Sequence, residues 1–121
     1  MTLQVLAVDD SRTMRDMIRF ALEPAGFEVH TADDGIHGTE VLSATAPDVI
    51  ITDINMPRMD GFGFIEAVRE RSKHRSTPIL VLTTEAAPEL KMRARAAGAT
   101  GWIVKPFDPA KLVKALHMVA G

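Results

Sequence analysis

Apolar positions along the chain fall into two kinds of run. Four runs are short, continuous and rich in β-branched residues: LQVLAV (3–8), PDVIIT (47–52), PILVLT (78–83) and GWIVK (101–105). They read as strands, and a further run, FEVHTA (27–32), alternates more and fits a strand nearer a sheet edge. Between the strands, apolar residues recur at helical spacing. Residues 11–25 set Met14, Met17, Ile18, Ala21 and Leu22 on one face and Arg12, Arg15, Arg19 and Glu23 on the other, with Gly26 as the stop. Further stripes are Val41 and Leu42; Phe64, Ile65 and Val68; Leu90, Ala94 and Ala97; and Leu112, Val113, Leu116 and Ala120. Gly98 closes the fourth helix, and Asp108-Pro109 opens the fifth as N-cap and first-turn proline.

Five strands alternating with five helices, with the inner strands apolar throughout, predict an α/β fold: a doubly wound parallel sheet covered on both faces. In such a sheet the ligand site lies beyond the carboxyl ends of the strands, where the strand order reverses. The first strand ends on Asp9-Asp10, the third on Asp53, the fourth on Thr83-Thr84 and the fifth on Lys105. Three carboxylates brought to one place repel, so the site calls for a cation, and an oxygen-only donor set suits Mg²⁺ or Mn²⁺ better than zinc. Lys105 supplies a single positive charge against three negative ones. A metal held by carboxylates with coordination positions to spare is suited to meeting a phosphate.

Composition narrows the classes further. At 121 residues, 46% apolar and 25% charged, the chain is expected to form one globular domain, residues 1–121, with a single core. A net charge of -2 argues against nucleic-acid binding as its main task. The chain has no cysteine for a disulfide framework or thiolate metal site, no signal-peptide pattern and no apolar run of membrane length, so a cytoplasmic location is expected.

The segments VDDS, DINMPRMDG, LTTE and VKPF, following the first, third, fourth and fifth strands, resemble the receiver domain of two-component response regulators, in order and spacing, over residues 3–120. The resemblance implies a flavodoxin-like (βα)5 fold with strand order 2-1-3-4-5, an order that the family supplies and that periodicity alone leaves open. It implies that Asp53 is the phosphoacceptor, taking a phosphoryl group from a histidine kinase or a small acyl phosphate to give a mixed anhydride. Asp10, Asp9 (often through water), Asp53 and the backbone carbonyl of Asn55 would hold Mg²⁺. Lys105 would pair with Asp53 and then with a phosphoryl oxygen, and Thr83 would swing in to another. Trp102, three positions before the lysine, stands where tyrosine or phenylalanine is more familiar. Its indole is larger and brings an N–H that needs a partner. Asn55 and Glu85 occupy the variable positions that tune the lifetime of the phosphoryl group. The Lys105-Pro106 bond is often cis in the family.

The opening DDSRTMRDMIRFAL and the loop DINMPRMDGFGFI look closest to the chemotaxis group. With no output domain after residue 121, the expected protein is a monomeric, phosphorylation-controlled signalling switch and not an enzyme. Its fourth helix, fifth strand and fifth helix would meet a flagellar motor switch protein, and outward Arg12, Arg15 and Arg19 would help dock the kinase. The alternative is a phosphorelay intermediate or phosphate sink working with a phosphotransfer domain. An Mg²⁺-dependent aspartyl phosphohydrolase usually has a second aspartate two positions after the first, where this chain has Asn55. A flavin carrier would want a hydroxyl- and glycine-rich first loop, where VDDSR places two negative charges. His30, His37, His74 and His117 lack ligand spacing and are read as exposed or packing residues. Lys91, Arg93, Arg95, Lys111 and Lys114 form either a basic patch or an ordinary solvated helical face.

Overall fold

The computed structural model describes residues 2–120. Five parallel strands, β1 (Gln4–Val8), β2 (Glu28–Ala32), β3 (Val49–Thr52), β4 (Ile79–Thr83) and β5 (Gly101–Val104), form one sheet in the order β2-β1-β3-β4-β5. The α-helices between and after them are α1 (Arg12–Leu22), α2 (Gly35–Thr45), α3 (Gly61–Glu70), α4 (Pro88–Ala97) and α5 (Pro109–Ala120). This is the doubly wound, flavodoxin-like order expected from the resemblance.

Strand periodicity divides the core in two. Val5, Ala7, Val49, Ile51, Leu80 and Leu82 pack with Ile18 and Leu22 of α1 and Leu112 and Leu116 of α5. The alternate residues Leu6, Val8, Ile50, Ile79 and Val81 pack with Leu42 of α2, Phe64, Ile65 and Val68 of α3, and Ala94 of α4. Because both faces of β3 and β4 are covered, every residue of those two strands is buried. The edges are β2, as its alternation suggested, and β5, whose equally apolar run leaves Val104 40% exposed.

Local chemistry sets the helix ends. Ser11 Oγ accepts the Met14 N–H at 3.2 Å to start α1, and Asp108 Oδ1 accepts the Ala110 N–H at 3.1 Å to start α5. The first helix stops short of the predicted residue 25. Pro24 has no N–H for the i−4 carbonyl, so the chain tightens into a 3-10 turn over Glu23–Ala25, and Gly26 leaves it at φ 97°. Its buried stripe is also narrower than predicted: Ile18 and Leu22 are buried, while Met17 is 41% exposed.

The arginines of α1 depart from their expected outward arrangement. Arg12 is exposed, but Arg19 bends back to donate to the Val29 carbonyl at 2.9 Å, and Arg15 donates to the Asp9 carbonyl at 2.6 Å. Long stems let both side chains lie on the protein and satisfy carbonyls at the sheet rim. Helical spacing alone assigned them to the solvent side.

Candidate functional site

Strand order reverses between β1 and β3, and the register there carries the chemistry. Val8 pairs with Thr52, so Asp9 and Asp53 leave adjacent strands at the same level. The Asp53 N–H continues the ladder to the Val8 carbonyl at 2.9 Å, and the Asp9 N–H does the same to the Ala32 carbonyl at 3.1 Å. Both side chains are therefore fixed by sheet hydrogen bonds at the topological switch point.

Lys105 joins them. Its Nζ donates to Asp9 Oδ2 at 2.8 Å and to Asp53 Oδ2 at 2.9 Å. The Lys105 N–H bonds the Thr83 carbonyl at 2.7 Å, and the following bond to Pro106 is cis. The second oxygen of each aspartate takes a backbone donor: Ser11 N–H to Asp9 Oδ1 at 2.9 Å, and Ile54 N–H to Asp53 Oδ1 at 2.7 Å. Asp9 is 1% exposed and Asp53 8%, whereas Asp10 is exposed at the rim.

Burial pushes the Asp9 carboxyl above its usual range, and it outweighs the lowering by Lys105 and by the Ser11 N–H. Burial alone would push Lys105 down, but its hydrogen bonds to Asp9 and Asp53 outweigh that and raise it. The lysine thus stays an ammonium, and the pocket still has three carboxylates around one positive charge. Asp9, Asp10 and Asp53 each offer an oxygen, all within 4.8 Å of one another. A hard divalent cation with oxygen preference fits this donor set.

The other predicted site residues converge on Glu85, in the loop after β4. Thr83 is fully buried, and its Oγ1 accepts the Glu85 N–H at 3.3 Å. Trp102 is half-buried and its indole N–H finds the partner it requires in the Glu85 carbonyl, at 3.0 Å. Glu85 Oε1 accepts from Asn55 Nδ2 at 3.1 Å, which links the loop after β4 to the loop after β3 across the mouth of the pocket. Spacing could place Asn55 and Glu85 at the rim but could not reveal that they touch.

Sequence reasoning missed several residues that shape the pocket. Arg15 and the Ser11 N–H fix Asp9, and no pattern distinguishes Arg15 from its solvated neighbours. Gly61 packs so closely behind Asp53 that a Cβ there would lie 2.2 Å from the Asp53 carbonyl oxygen. The Asp-Gly pair before a helical stripe was the available signal, since it marks an N-cap followed by a residue without a side chain. Of the predicted basic positions, Arg93 stacks at 4.0 Å over the Phe62 ring, and Lys91 and Arg95 border a groove with Trp102. His74 is buried and bonded to Thr77 Oγ1 at 2.9 Å, a packing role as expected. Among the described residues, no helix is long and apolar enough to cross a membrane.

Comparison with known proteins agrees with this fold. The family model described as the response regulator receiver domain matches residues 5–117. Chemotaxis protein CheY1 of Helicobacter pylori is 40% identical over 121 residues, covering 98% of both chains. The structure of chemotaxis protein CheY4 of Vibrio cholerae superposes with a TM-score of 0.95 at 50% identity, covering 98% of this chain and 99% of that one. The receiver domain of sensor histidine kinase PA1611 from Pseudomonas aeruginosa, solved with a magnesium ion coordinated in its active-site cleft, gives a TM-score of 0.92 at 26% identity, covering 100% of this chain and 99% of that one.

Proposed function

This chain belongs to the response regulator receiver family, and from that membership we propose that it is a chemotaxis switch in which Asp53 accepts a phosphoryl group from a histidine kinase. Residues 1–121 act as one receiver unit. The observation that carries the reading is the Lys105 ammonium bridging Asp9 and Asp53 at 2.8 and 2.9 Å, beside a third carboxylate on Asp10.

In the transfer, an oxygen of Asp53 forms a bond to phosphorus as the P–N bond of the donor phosphohistidine breaks. The electron pair leaves with the imidazole, which departs neutral because its ring was protonated beforehand. Asp9, Asp10, Asp53 and the Asn55 carbonyl would hold Mg²⁺, which supplies charge neutralisation and alignment of the phosphoryl oxygens. Forming the mixed anhydride removes the carboxylate charge of Asp53, so Lys105 exchanges that carboxylate for a phosphoryl oxygen. Thr83 Oγ1 is held by a long 3.3 Å bond from the Glu85 N–H and turns toward another phosphoryl oxygen. Glu85 is also tied to Trp102, so the turn is felt at β5 and along the α4-β5-α5 face, where a flagellar motor switch protein would bind. Asn55 and Glu85, joined across the mouth, govern the approach of water and so the lifetime of the acyl phosphate.

Incubation with Mg²⁺ and acetyl phosphate tests the proposal by mass spectrometry and Trp102 fluorescence. A phosphoryl mass gain that Asp53→Asn abolishes, together with an altered tryptophan signal, is the expected result. Absence of both responses in the wild type refutes the reading, and a modification that persists in Asp53→Asn refutes the choice of acceptor.

A further inference from the structure

The loop between β3 and α3 carries Asn55 two residues after Asp53, so its shape sets where the Asn55 carbonyl lies. Inside the loop, the Met59 N–H bonds the Pro57 carbonyl at 2.7 Å, and at its end the Gly61 N–H bonds the Ile54 carbonyl at 2.8 Å. At its outer bend Arg58 adopts φ 64°, in the left-handed region that residues other than glycine enter at a cost. Such a conformation persists only where the surroundings hold it.

Arg58 reaches out of the loop to supply that hold. Its Nε and Nη2 donate to Asp34 Oδ2 and Oδ1 at 2.6 and 3.0 Å, a two-pronged contact. The Asp34 side chain is 6% exposed against 57% for Arg58, so the fork sits on a buried carboxylate. Asp34 is itself anchored as the N-cap of α2, where its Oδ1 also accepts the His37 N–H at 2.8 Å. The adjoining residues are joined as well. The Gly35 N–H donates to the Met59 carbonyl at 3.1 Å, and a Cβ on Gly35 would lie 2.6 Å from that oxygen. Residues 58 and 59 are therefore bound to residues 34 and 35. Among the described residues, the guanidinium of Arg58 makes no hydrogen bond to Asp9, Asp10 or Asp53.

We infer that Arg58 is a positioning residue for phosphotransfer: with Asp34 it clamps the β3–α3 loop to the start of α2 and presets the Asn55 carbonyl for the metal. The inference rests on the function proposed above. A loop left free must be ordered each time the metal and phosphodonor bind, which weakens binding and slows transfer, whereas a clamped loop is already arranged. Because Arg58 is more than half exposed, salt screens the clamp; a role in packing alone has no such dependence.

Calorimetric Mg²⁺ titration, and the rate of mass gain with acetyl phosphate, are measured for the wild type, Arg58→Ala, Arg58→Lys, Asp34→Asn and the double variant Asp34→Asn/Arg58→Ala. Asparagine at position 34 keeps an oxygen for the His37 N–H, so α2 retains its cap, and far-ultraviolet spectra check that each variant folds. Arg58→Ala and Asp34→Asn are each expected to weaken Mg²⁺ binding and slow phosphorylation by about 10-fold, the lower end for losing a group that orients metal ligands. The double variant is expected to be no worse than either single one. Arg58→Lys recovers only part of the loss, because an ammonium lacks the fork. The wild-type advantage over Arg58→Ala shrinks between about 0.05 M and about 1 M salt. Wild-type values in both measurements for Arg58→Ala, or fully additive losses in the double variant, overturn the clamp while leaving the receiver reading intact. A wild type that neither binds Mg²⁺ nor gains a phosphoryl group overturns that reading, and the clamp with it.

Discussion

At Asp9, burial and pairing pull in opposite directions. The carboxyl is 1% exposed and its pKa is raised by burial in spite of Lys105 and the Ser11 N–H. An acid whose pKa rises on folding binds its proton more tightly when folded. The stability this contributes is complete below the ordinary value of 3.8 and is lost as pH rises through the folded value. At neutral pH an ionised Asp9 therefore works against the metal-free fold. Asp9→Asn is expected to raise the thermal midpoint without metal, to flatten its dependence on acid pH, and to weaken Mg²⁺ binding by about 10-fold or more. Paired melts with and without Mg²⁺ check both signs, and a lower midpoint without metal would contradict the argument. Gly61 shows the other kind of local demand. A methyl placed 2.2 Å from the Asp53 carbonyl oxygen forces the backbone just after β3 to move. Gly61→Ala is expected to cost about 3 kcal/mol in urea unfolding, the upper end for overpacking, and to impair phosphorylation together with stability. The acidic residues were legible because each ends an apolar run. Gly61 and Arg15 were not, because their roles depend on which chain segment lies behind them.

Among the elements, α3 and α4 pack together and are also tied by the hydrogen bonds of one side chain. Arg69 donates from Nε and Nη2 to the Gly98 carbonyl at 3.0 and 2.7 Å, and from Nη1 to the carbonyls of His74 and Thr77, both at 2.7 Å. It therefore ties the end of α3 to the left-handed turn that closes α4 and to the segment leading into β4. Burial lowers its pKa, which marks a partly desolvated cation held by carbonyl dipoles. Arg69→Lys cannot reproduce a fork that serves three carbonyls. It is expected to lower stability by about 2 kcal/mol by chemical denaturation, with amide exchange rising first around residues 74–77 and 98. At this scale the sequence predicted the stripes of α3 to α5, the glycine stop of α4 and the Asp-Pro start of α5, because those follow from periodicity, glycine and proline within one segment. The end of α1 was misjudged at Pro24, where the missing N–H converts the last turn to 3-10 geometry. Arg69 reads from sequence as a surface residue of α3, since its partners lie 5 to 29 residues away.

Across the whole molecule, the ends of four strands bring residues separated by up to 96 positions into one pocket, and the pocket is under-neutralised without a cation. Metal binding is linked to folding for that reason. Mg²⁺ at about a hundred times its dissociation constant is expected to stabilise the chain by about 2.7 kcal/mol in chemical unfolding, and chelation should reverse this fully. Unchanged unfolding at saturating Mg²⁺ would show that the carboxylates do not act together. Hydrophobic periodicity along the chain was enough for the α/β class and for the element order. The acidic strand ends, with the threonine and lysine, were enough for the chemistry of the pocket, because burial stops and function begins at the same residues. The Asn55–Glu85–Trp102 chain, the Arg58–Asp34 fork and the inward arginines of α1 were decided only by folding. The physical reason is that a pattern along one segment reports which face is apolar, whereas a hydrogen bond between segments depends on distances that exist only after the sheet has set its register.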